Sequence, residues 1–240
     1  MAAALAFNTT QAQTAKEIMR TVLDKVNGLT SKGEMKMTIV RPEWTREMSM
    51  KTWTKGDDYS LMLLTSPARD AGTGFLKREK EIWNWQPSIS RTIKMPPSMM
   101  TQSWMGSDFT NDDLVKQSSI VDDYEHKILK VETIDGRECW LIELIPLPDA
   151  AVVWGKVLTW VDKTDYIQMK TEFYDEDEYL VNTMLGKDIK EMGGKMLAAR
   201  LEVIPADEPG HKTIVETLWV EFDIELDDNY FTVQNMKRVR

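Results

Sequence analysis

Residues 34–39 read Glu-Met-Lys-Met-Thr-Ile, and residues 47–52 read Glu-Met-Ser-Met-Lys-Thr. In both stretches an apolar side chain alternates with a polar one, which is typical of a β-strand with one buried and one exposed face. Further strands, separated by Gly, Pro, Asp and Ser, are predicted between residues 58 and 95 and between residues 123 and 224. The fold class is therefore mainly β (α+β), with about eleven strands in one curved antiparallel sheet.

One helix is predicted before the strands. Thr14 and Glu17 have the spacing of a capping box, and Asn27-Gly28 is a typical helix end. The apolar residues between these two signals recur at helical spacing: Ile18, Met19, Val22, Leu23 and Val26. We expect this helix to cover the concave side of the sheet.

Residues 1–12 read Met-Ala-Ala-Ala-Leu-Ala-Phe-Asn-Thr-Thr-Gln-Ala. The short apolar run followed by small polar residues indicates the end of a secretory signal peptide, and a disordered tail is the alternative. No change of composition and no Pro/Gly/Ser linker follows. Residues 13–240 are therefore predicted to form a single domain.

The charge and the reactive residues exclude several function classes. The net charge of −9 disfavours nucleic acid as a partner, because phosphate binding needs a basic face. The single cysteine, Cys139, is predicted to be a buried strand residue. The two histidines, His126 and His211, have no metal-ligand spacing and are expected on the surface. We therefore predict no catalytic residues, no metal and no cofactor.

The unusual feature is the content of 16 methionines and nine tryptophans. Each of these side chains could simply pack in a core, but unbranched thioethers also suit a surface that adapts to variable apolar ligands. Acyl chains are such ligands, since each buried methylene contributes about 0.8 kcal/mol. The predicted ligand-binding residues are Met35, Met37, Met48, Met50, Trp53, Met62, Trp83, Trp85, Met95, Met99, Met100, Trp104 and Met105.

Within that set, one stretch stands out because Pro96-Pro97 ends a strand immediately before it. Met99, Met100, Trp104 and Met105 are predicted to form a pliable flap at the mouth of a cavity. Asp108 or Thr110 is predicted to cap a short helix that extends to about Gln117.

The sequence also resembles a known family. Several stretches resemble the outer-membrane lipoprotein-sorting proteins of the LolA/LolB-like superfamily: residues 15–29, residues 31–40, Ser90–Met95, Trp104–Thr110, Asp113-Leu114 and Leu226–Thr232. The likeness is to the longer branch, which carries a Gly-Ser-Asp-Phe-Thr run. That structural motif consists here of Gly106, Ser107, Asp108, Phe109 and Thr110.

The resemblance implies a half-open antiparallel β-barrel, with the N-terminal helix and a short central helix acting as its lid. It implies export to the periplasm and an apolar cavity for lipids or the acyl chains of lipoproteins. It also suggests a membrane exporter of the resistance-nodulation-division type as a partner. The residues do not identify the arginine that closes the lid in the family.

Two functions remain open at this point. The first is a periplasmic carrier that binds lipids or the acyl chains of lipoproteins and passes them to a partner. The alternative is a non-catalytic periplasmic accessory subunit, with a filled barrel, that docks on a membrane exporter through Met99, Met100 and Trp104. An enzyme on the same barrel is a weaker third option, since no nucleophile or base is indicated.

Overall fold

The computed structural model describes residues 13–79, 81–113, 119–150 and 152–239. Residues 1–12, the predicted signal-peptide remnant, lie outside the described residues. The helices are α1 (Ala15–Asn27), α2 (Ser119–Asp122) and α3 (Val233–Met236), with 3-10 turns at Pro87–Ile89, Pro97–Met99 and Asp228–Tyr230. The strands are β1 (Thr30–Arg41), β2 (Trp44–Lys55), β3 (Tyr59–Ser66), β4 (Gly74–Arg78), β5 (Glu81–Gln86), β6 (Arg91–Lys94), β7 (Tyr124–Ile134), β8 (Arg137–Pro146), β9 (Lys156–Asp162), β10 (Gln168–Tyr174), β11 (Leu180–Met192), β12 (Lys195–Pro205) and β13 (Lys212–Phe222).

These thirteen strands form one antiparallel sheet in the order β6-β5-β4-β3-β2-β1-β13-β12-β11-β10-β9-β8-β7. The prediction of a mainly β, antiparallel fold without full closure is confirmed, but the sheet has thirteen strands rather than about eleven and forms an open sheet rather than a half-open barrel. The sheet is open, with β6 and β7 at its opposite ends. Closure needs pairing along two full edges, and β6 has only four residues.

The strand pairing sorts the side chains onto two faces, because opposed residues point to the same side and neighbours along a strand alternate. Met35 pairs with Met50 and Met37 with Met48, and we call their side the front face. A row of directly paired residues carries this face across the sheet: Ile39, Thr213, Val203, Met184, Thr171, Thr159 and Ile142.

The opposite side, the back face, is charged in its middle. Lys36 on β1 forms ion pairs with Glu47 on β2 (3.6 Å) and Glu216 on β13 (3.1 Å). Arg200 on β12 pairs with Glu202 at 2.5 Å. The predicted alternation of apolar and polar side chains in β1 and β2 therefore corresponds to these two faces.

Helix α1 covers the front face beside β7, β8 and β9. Thr14 and Glu17 exchange both hydrogen bonds of the predicted capping box, and Gly28 ends the helix with a φ of 64°. The predicted stripe packs against Tyr124, Ile142 and Leu144, except that its last member, Val26, is 51% exposed. No described helix is long and apolar enough to cross a bilayer.

Residues 95–123 link β6 to β7 along the chain, and we call them the crossover segment. Within their described part, residues 95–113 cover the front face beside β1–β4. Part of the central helix predicted here, residues 114–118, lies outside the described residues. In the described part, Asp108 caps no helix. Thr110 and Asp113 exchange the reciprocal hydrogen bonds that begin a helix (3.1 and 2.8 Å), and α2 starts later.

The C-terminal segment, residues 223–239, covers the back face at β3 and β4. Its Phe231 and Met236 are fully buried against Leu61 and Leu76. The two ends of the described chain therefore cover opposite faces of the sheet.

Candidate functional site

A cluster of methionines occupies the front face of β1, β2 and β3. Met37, Met48 and Met50 are at most 3% exposed, and the partly buried members of this methionine cluster include Met35, Met62 and Met105. Methionine side chains rearrange readily, so this surface is the most adaptable part of the front face.

Trp104 of the crossover segment is inserted into the methionine cluster. It is 2% exposed, and its ring lies edge-on to Phe75 with the ring centroids 5.3 Å apart. Among the described residues, its indole N–H has no hydrogen-bond partner. A buried donor without an acceptor costs about 1–3 kcal/mol, so this arrangement is not optimal for the polar part of the side chain.

The Gly-Ser-Asp-Phe-Thr motif fixes the loop that carries Trp104. The Ser107 hydroxyl donates to the Trp104 carbonyl at 2.7 Å. The Asp108 carboxylate accepts two hydrogen bonds from Arg41, at 2.9 and 3.1 Å, and one from Thr213 at 2.7 Å. The motif therefore attaches the crossover segment to β1 and β13.

Between the crossover segment and strands β3–β5 lies a small cavity of about 30 Å³. Its volume corresponds to about one water molecule. Most of its wall is apolar, and three polar residues complete it. The lining residues are Met62, Phe75, Ile82, Met95, Trp104, Ser60, Lys77 and Asn111.

Lys77 on β4 brings a cation to this apolar surface. Its Nζ donates to the backbone carbonyl of Asp57, and in the described part of the chain no carboxylate lies within ion-pair distance of it. Burial lowers the pKa of Lys77, and the charges of Asp57 and Asp58 oppose that shift. Asn111 donates both of its amide hydrogens to the carbonyls of Met99 and Gln102.

An arginine on α1 connects three elements beside the cavity. Arg20 donates to Asp57, in the turn between β2 and β3, at 2.9 Å. It also donates to both carboxylate oxygens of Asp122 in α2, at 3.0 and 3.1 Å. Asn27, at the end of α1, donates to Asp57 as well (3.0 Å). The sequence could not indicate this network, because its members are far apart along the chain.

The structure brings ten of the thirteen predicted binding residues to one side of the sheet. Met35, Met37, Met48, Met50, Met62 and Met95 lie on the front face, with Met99, Met100, Trp104 and Met105 in the crossover segment above it. Trp104 is sealed in the cluster, so it does not line an entrance as predicted for the flap.

The tryptophans Trp53, Trp83 and Trp85 lie on the back face under the C-terminal segment. Trp53 and Tyr230 have their ring centroids 5.7 Å apart. The prediction of one common surface fails for these three residues because of strand parity. Trp53 is an odd-numbered residue of β2, whereas Met48 and Met50 are even-numbered.

Asp108, Glu208 and His211 form the group of described residues whose spacing fits a metal ion, with ligand atoms within 4.8 Å of one another. The His211 Nδ1 lies next to a carboxylate oxygen of Glu208. Arg41 already neutralises the Asp108 carboxylate, and its guanidinium would repel a cation.

His126, expected on the surface, is half-buried, and its Nε2 lies 2.7 Å from the Ile120 carbonyl oxygen.

Sequence reasoning missed Lys77. It lies in the strand Gly-Phe-Leu-Lys-Arg, where Phe75 and Leu76 are both apolar, so the alternation does not show which face is buried. The pairing of β4 with β3 settles the question, because Phe75 pairs with Met62 and therefore shares the front face with Lys77.

Comparisons with known proteins agree with this architecture. A family model described as "uncharacterized protein" matches residues 56–238. The comparison with curated proteins found no match.

Three solved structures are similar along nearly the whole chain. A DUF1329 family protein from Desulfovibrio piger has 23% identity and a TM-score of 0.85, with 92% of this chain and 97% of that chain covered. A domain assigned to the outer membrane lipoprotein-sorting proteins, from Vibrio parahaemolyticus, has 24% identity and a TM-score of 0.83, with 93% and 98% covered. A LolA superfamily protein from Nitrosomonas europaea has 23% identity and a TM-score of 0.78, with 93% and 99% covered. The chain therefore belongs to the family of uncharacterized proteins whose model it matches, and it has the fold of the LolA superfamily.

Proposed function

We propose that this chain is a non-catalytic periplasmic carrier that binds the acyl chains of lipids or lipoproteins on the methionine cluster and passes them to a partner. The observation that carries the proposal is the position of Trp104. A side chain from a connecting segment fills an adaptable, methionine-rich surface, and its N–H remains unsatisfied there. An acyl chain would replace Trp104 on this surface.

The magnitudes favour such an exchange. Removing a large aromatic side chain from its packing costs about 3–5 kcal/mol. An acyl chain with about ten buried methylenes contributes about 8 kcal/mol. The gain exceeds the cost of displacing Trp104 by about 3–5 kcal/mol, and this surplus is available to offset the loss of translational and rotational freedom on binding.

Two similar structures support the proposal, one assigned to the outer membrane lipoprotein-sorting proteins and one to the LolA superfamily. We carry the periplasmic location over from that assignment. Transfer requires a partner that binds the acyl chain more tightly, since the carrier supplies no energy of its own. A membrane exporter of the resistance-nodulation-division type is the partner that we propose.

Native mass spectrometry after incubation with phosphatidylethanolamine vesicles tests the proposal. We expect lipid adducts on the wild-type protein and about tenfold fewer on Met62→Gln, because the amide places a polar group beside the acyl chain. Met196→Gln is the matched control, since Met196 is also half-buried but packs in a separate cluster around Cys139. Adducts are expected to increase for Trp104→Ala. Absence of adducts on both the wild-type protein and Trp104→Ala would refute the carrier.

The accessory-subunit alternative has one observation in its favour, because the cavity holds only about 30 Å³ and the front face is filled. Its predicted contact residues are less suitable, since Trp104 is buried and Met99 and Met100 are half-buried. Replacing Met99 and Met100 with Ser separates the two functions. Loss of exporter binding with unchanged lipid uptake would support the alternative.

A further inference from the structure

We propose that the free edge of β7 pairs with β7 of a second copy of this chain, so that two copies form a two-fold symmetric dimer with one continuous antiparallel sheet. The inference goes beyond the carrier function and does not depend on it. β7 lies at one end of the sheet, and among the described strands it pairs only with β8. Its eleven residues therefore leave backbone N–H and C=O groups unpaired along one side, and such an edge is a template for a further strand.

The side chains of β7 are unusually apolar for an exposed edge. Ile128, Leu129 and Val131 are 36%, 41% and 47% exposed. Ile128 pairs with Ile142 of β8, and Val131 pairs with Trp140, so Ile128 and Val131 both lie on the front face. Helix α1 covers the front face beside β7 but leaves these two side chains in contact with water. A strand added at this edge would bury them.

The bulge in β7 restricts the register of such a dimer. It lies between Ile128 and Lys130, and because of it the front-face residues of β7 are even-numbered before the bulge and odd-numbered after it. Side chains that oppose each other in a sheet share a face. A two-fold ladder that opposes Ile128 with Val131 of the second copy keeps both faces matched along residues 125–134. A shift by one residue would place front-face side chains opposite back-face ones.

The charges of β7 select the same register. It places Lys127 opposite Glu132 of the second copy, on the back face, and the two-fold axis repeats this pair. Lys127 is exposed, and in the described part of the chain no carboxylate lies within ion-pair distance of it. A ladder shifted by two residues would instead oppose Lys127 with Lys130 and Glu125 with Glu132. Like charges that face each other directly destabilise a sheet.

Glu132 is able to accept the additional pair. Hydrogen bonds from Lys130 and from the Trp160 indole lower the pKa of Glu132, so its carboxylate is ionised at neutral pH. These two donors lie 2.7 and 2.6 Å from its oxygens. A carboxylate has about four acceptor positions, so room remains for Lys127 of the second copy.

Bulges and lysines on an edge strand usually hinder pairing with other chains. In β7 they hinder a foreign strand, which would have to match the bulge and neutralise Lys127. A second copy does both, since it carries the same bulge and presents Glu132. The other edge strand, β6, has only four residues, so a ladder between β6 and β7 would be less than half as long. The occupant that fits this edge is therefore β7 of a second copy.

Opposite charge reversals test the inference by sedimentation equilibrium and native mass spectrometry. We expect the wild-type protein to form dimers as its concentration rises. Lys127→Glu and Glu132→Lys, each alone, oppose like charges twice and should raise the dissociation constant of the dimer at least about tenfold. An equimolar mixture of the two variants restores both opposite-charge pairs and should form a heterodimer of wild-type affinity. Lys190→Glu is the matched control, because Lys190 is an exposed lysine of β11, in the interior of the sheet.

Amide exchange provides a second measurement, in which the β7 amides should exchange several-fold more slowly in the dimer than in the monomer. A wild-type protein that stays monomeric up to millimolar concentration would overturn the inference. A dimer that responds equally to Lys127→Glu and Lys190→Glu would also overturn it, and this comparison holds even if Glu132→Lys does not fold. A dimer with unchanged exchange in β7 would show that the contact lies elsewhere. Assemblies larger than a dimer would indicate pairing of β6 with β7 and would refute the two-fold arrangement.

Discussion

At the residue scale, Asp113 shows how burial opposes ionisation in the crossover segment. Its carboxylate accepts hydrogen bonds from the Thr110 backbone N–H (2.8 Å) and from the Trp154 indole N–H (3.1 Å). These bonds favour the charged form, but burial outweighs them and raises the pKa of Asp113 above its ordinary value of 3.8. The folded state therefore binds a proton at Asp113 more tightly than the unfolded state does.

The sign of the pH effect follows from that shift. A raised carboxyl pKa stabilises the fold at low pH, and this stabilisation is lost as the pH rises from about 3.8 through the folded-state pKa. We expect the free energy of unfolding of the wild-type protein to fall, relative to that of Asp113→Asn, over this range. Urea unfolding of both proteins between pH 3 and pH 8 measures the difference. A constant difference, or one that changes in the opposite direction, would contradict the assignment.

At the element scale, Arg20 adds ion pairs to Asp57 and Asp122 to the apolar packing that holds α1 on the sheet. The helix itself was predictable, because capping and periodicity are local signals that Thr14, Glu17 and the apolar stripe carry in full. Its contacts with Asp57 and Asp122 were not predictable, since a charge on the exposed side of a helix does not indicate its partner. The sequence likewise predicted that Trp104 belongs to the binding surface, but not that it is inserted among the methionines. That insertion depends on the attachment of the crossover segment to Arg41 and Thr213.

We expect Arg20→Gln to weaken the attachment of α1 to the sheet. Both ion pairs of Arg20 are partly exposed, so the loss of global stability should be small, about 1 kcal/mol. Amide exchange within α1 should become several-fold faster. Lys16→Gln is the control, because Lys16 approaches Asp122 only to 3.9 Å and is 57% exposed. Exchange of α1 that is equally fast in both variants would show that Arg20 has no special role.

At the scale of the whole molecule, the sheet consists of two meanders, β1–β6 and β7–β13, joined by the pairing of β1 with β13. The alternation of side chains predicted the strands and the antiparallel fold. It did not predict the partner of β1, because strand pairing between distant segments leaves no local signal.

The β1–β13 pairing predicts cooperative unfolding of both meanders. Ile39 on β1 is fully buried and lies opposite Thr213 on β13. We expect Ile39→Ala to lower the free energy of unfolding by about 2–5 kcal/mol. Hydrogen exchange should report the same loss at slowly exchanging amides of β3 and β8, which belong to different meanders. Ile128→Ala, on the edge strand β7, should affect its neighbours only. Unchanged protection of β8 in Ile39→Ala would show that the meanders unfold separately.

The place of β13 also has a consequence for biosynthesis. Ribosomes make this strand after the other twelve, yet it lies in the interior of the sheet, between β1 and β12. Until it emerges, β1 and β12 are both unpaired edges, and such edges readily bind strands of other chains. A nascent chain interrupted before Lys212 would therefore expose two unpaired strand edges, and it would also lack the C-terminal segment that covers the back face at β3 and β4.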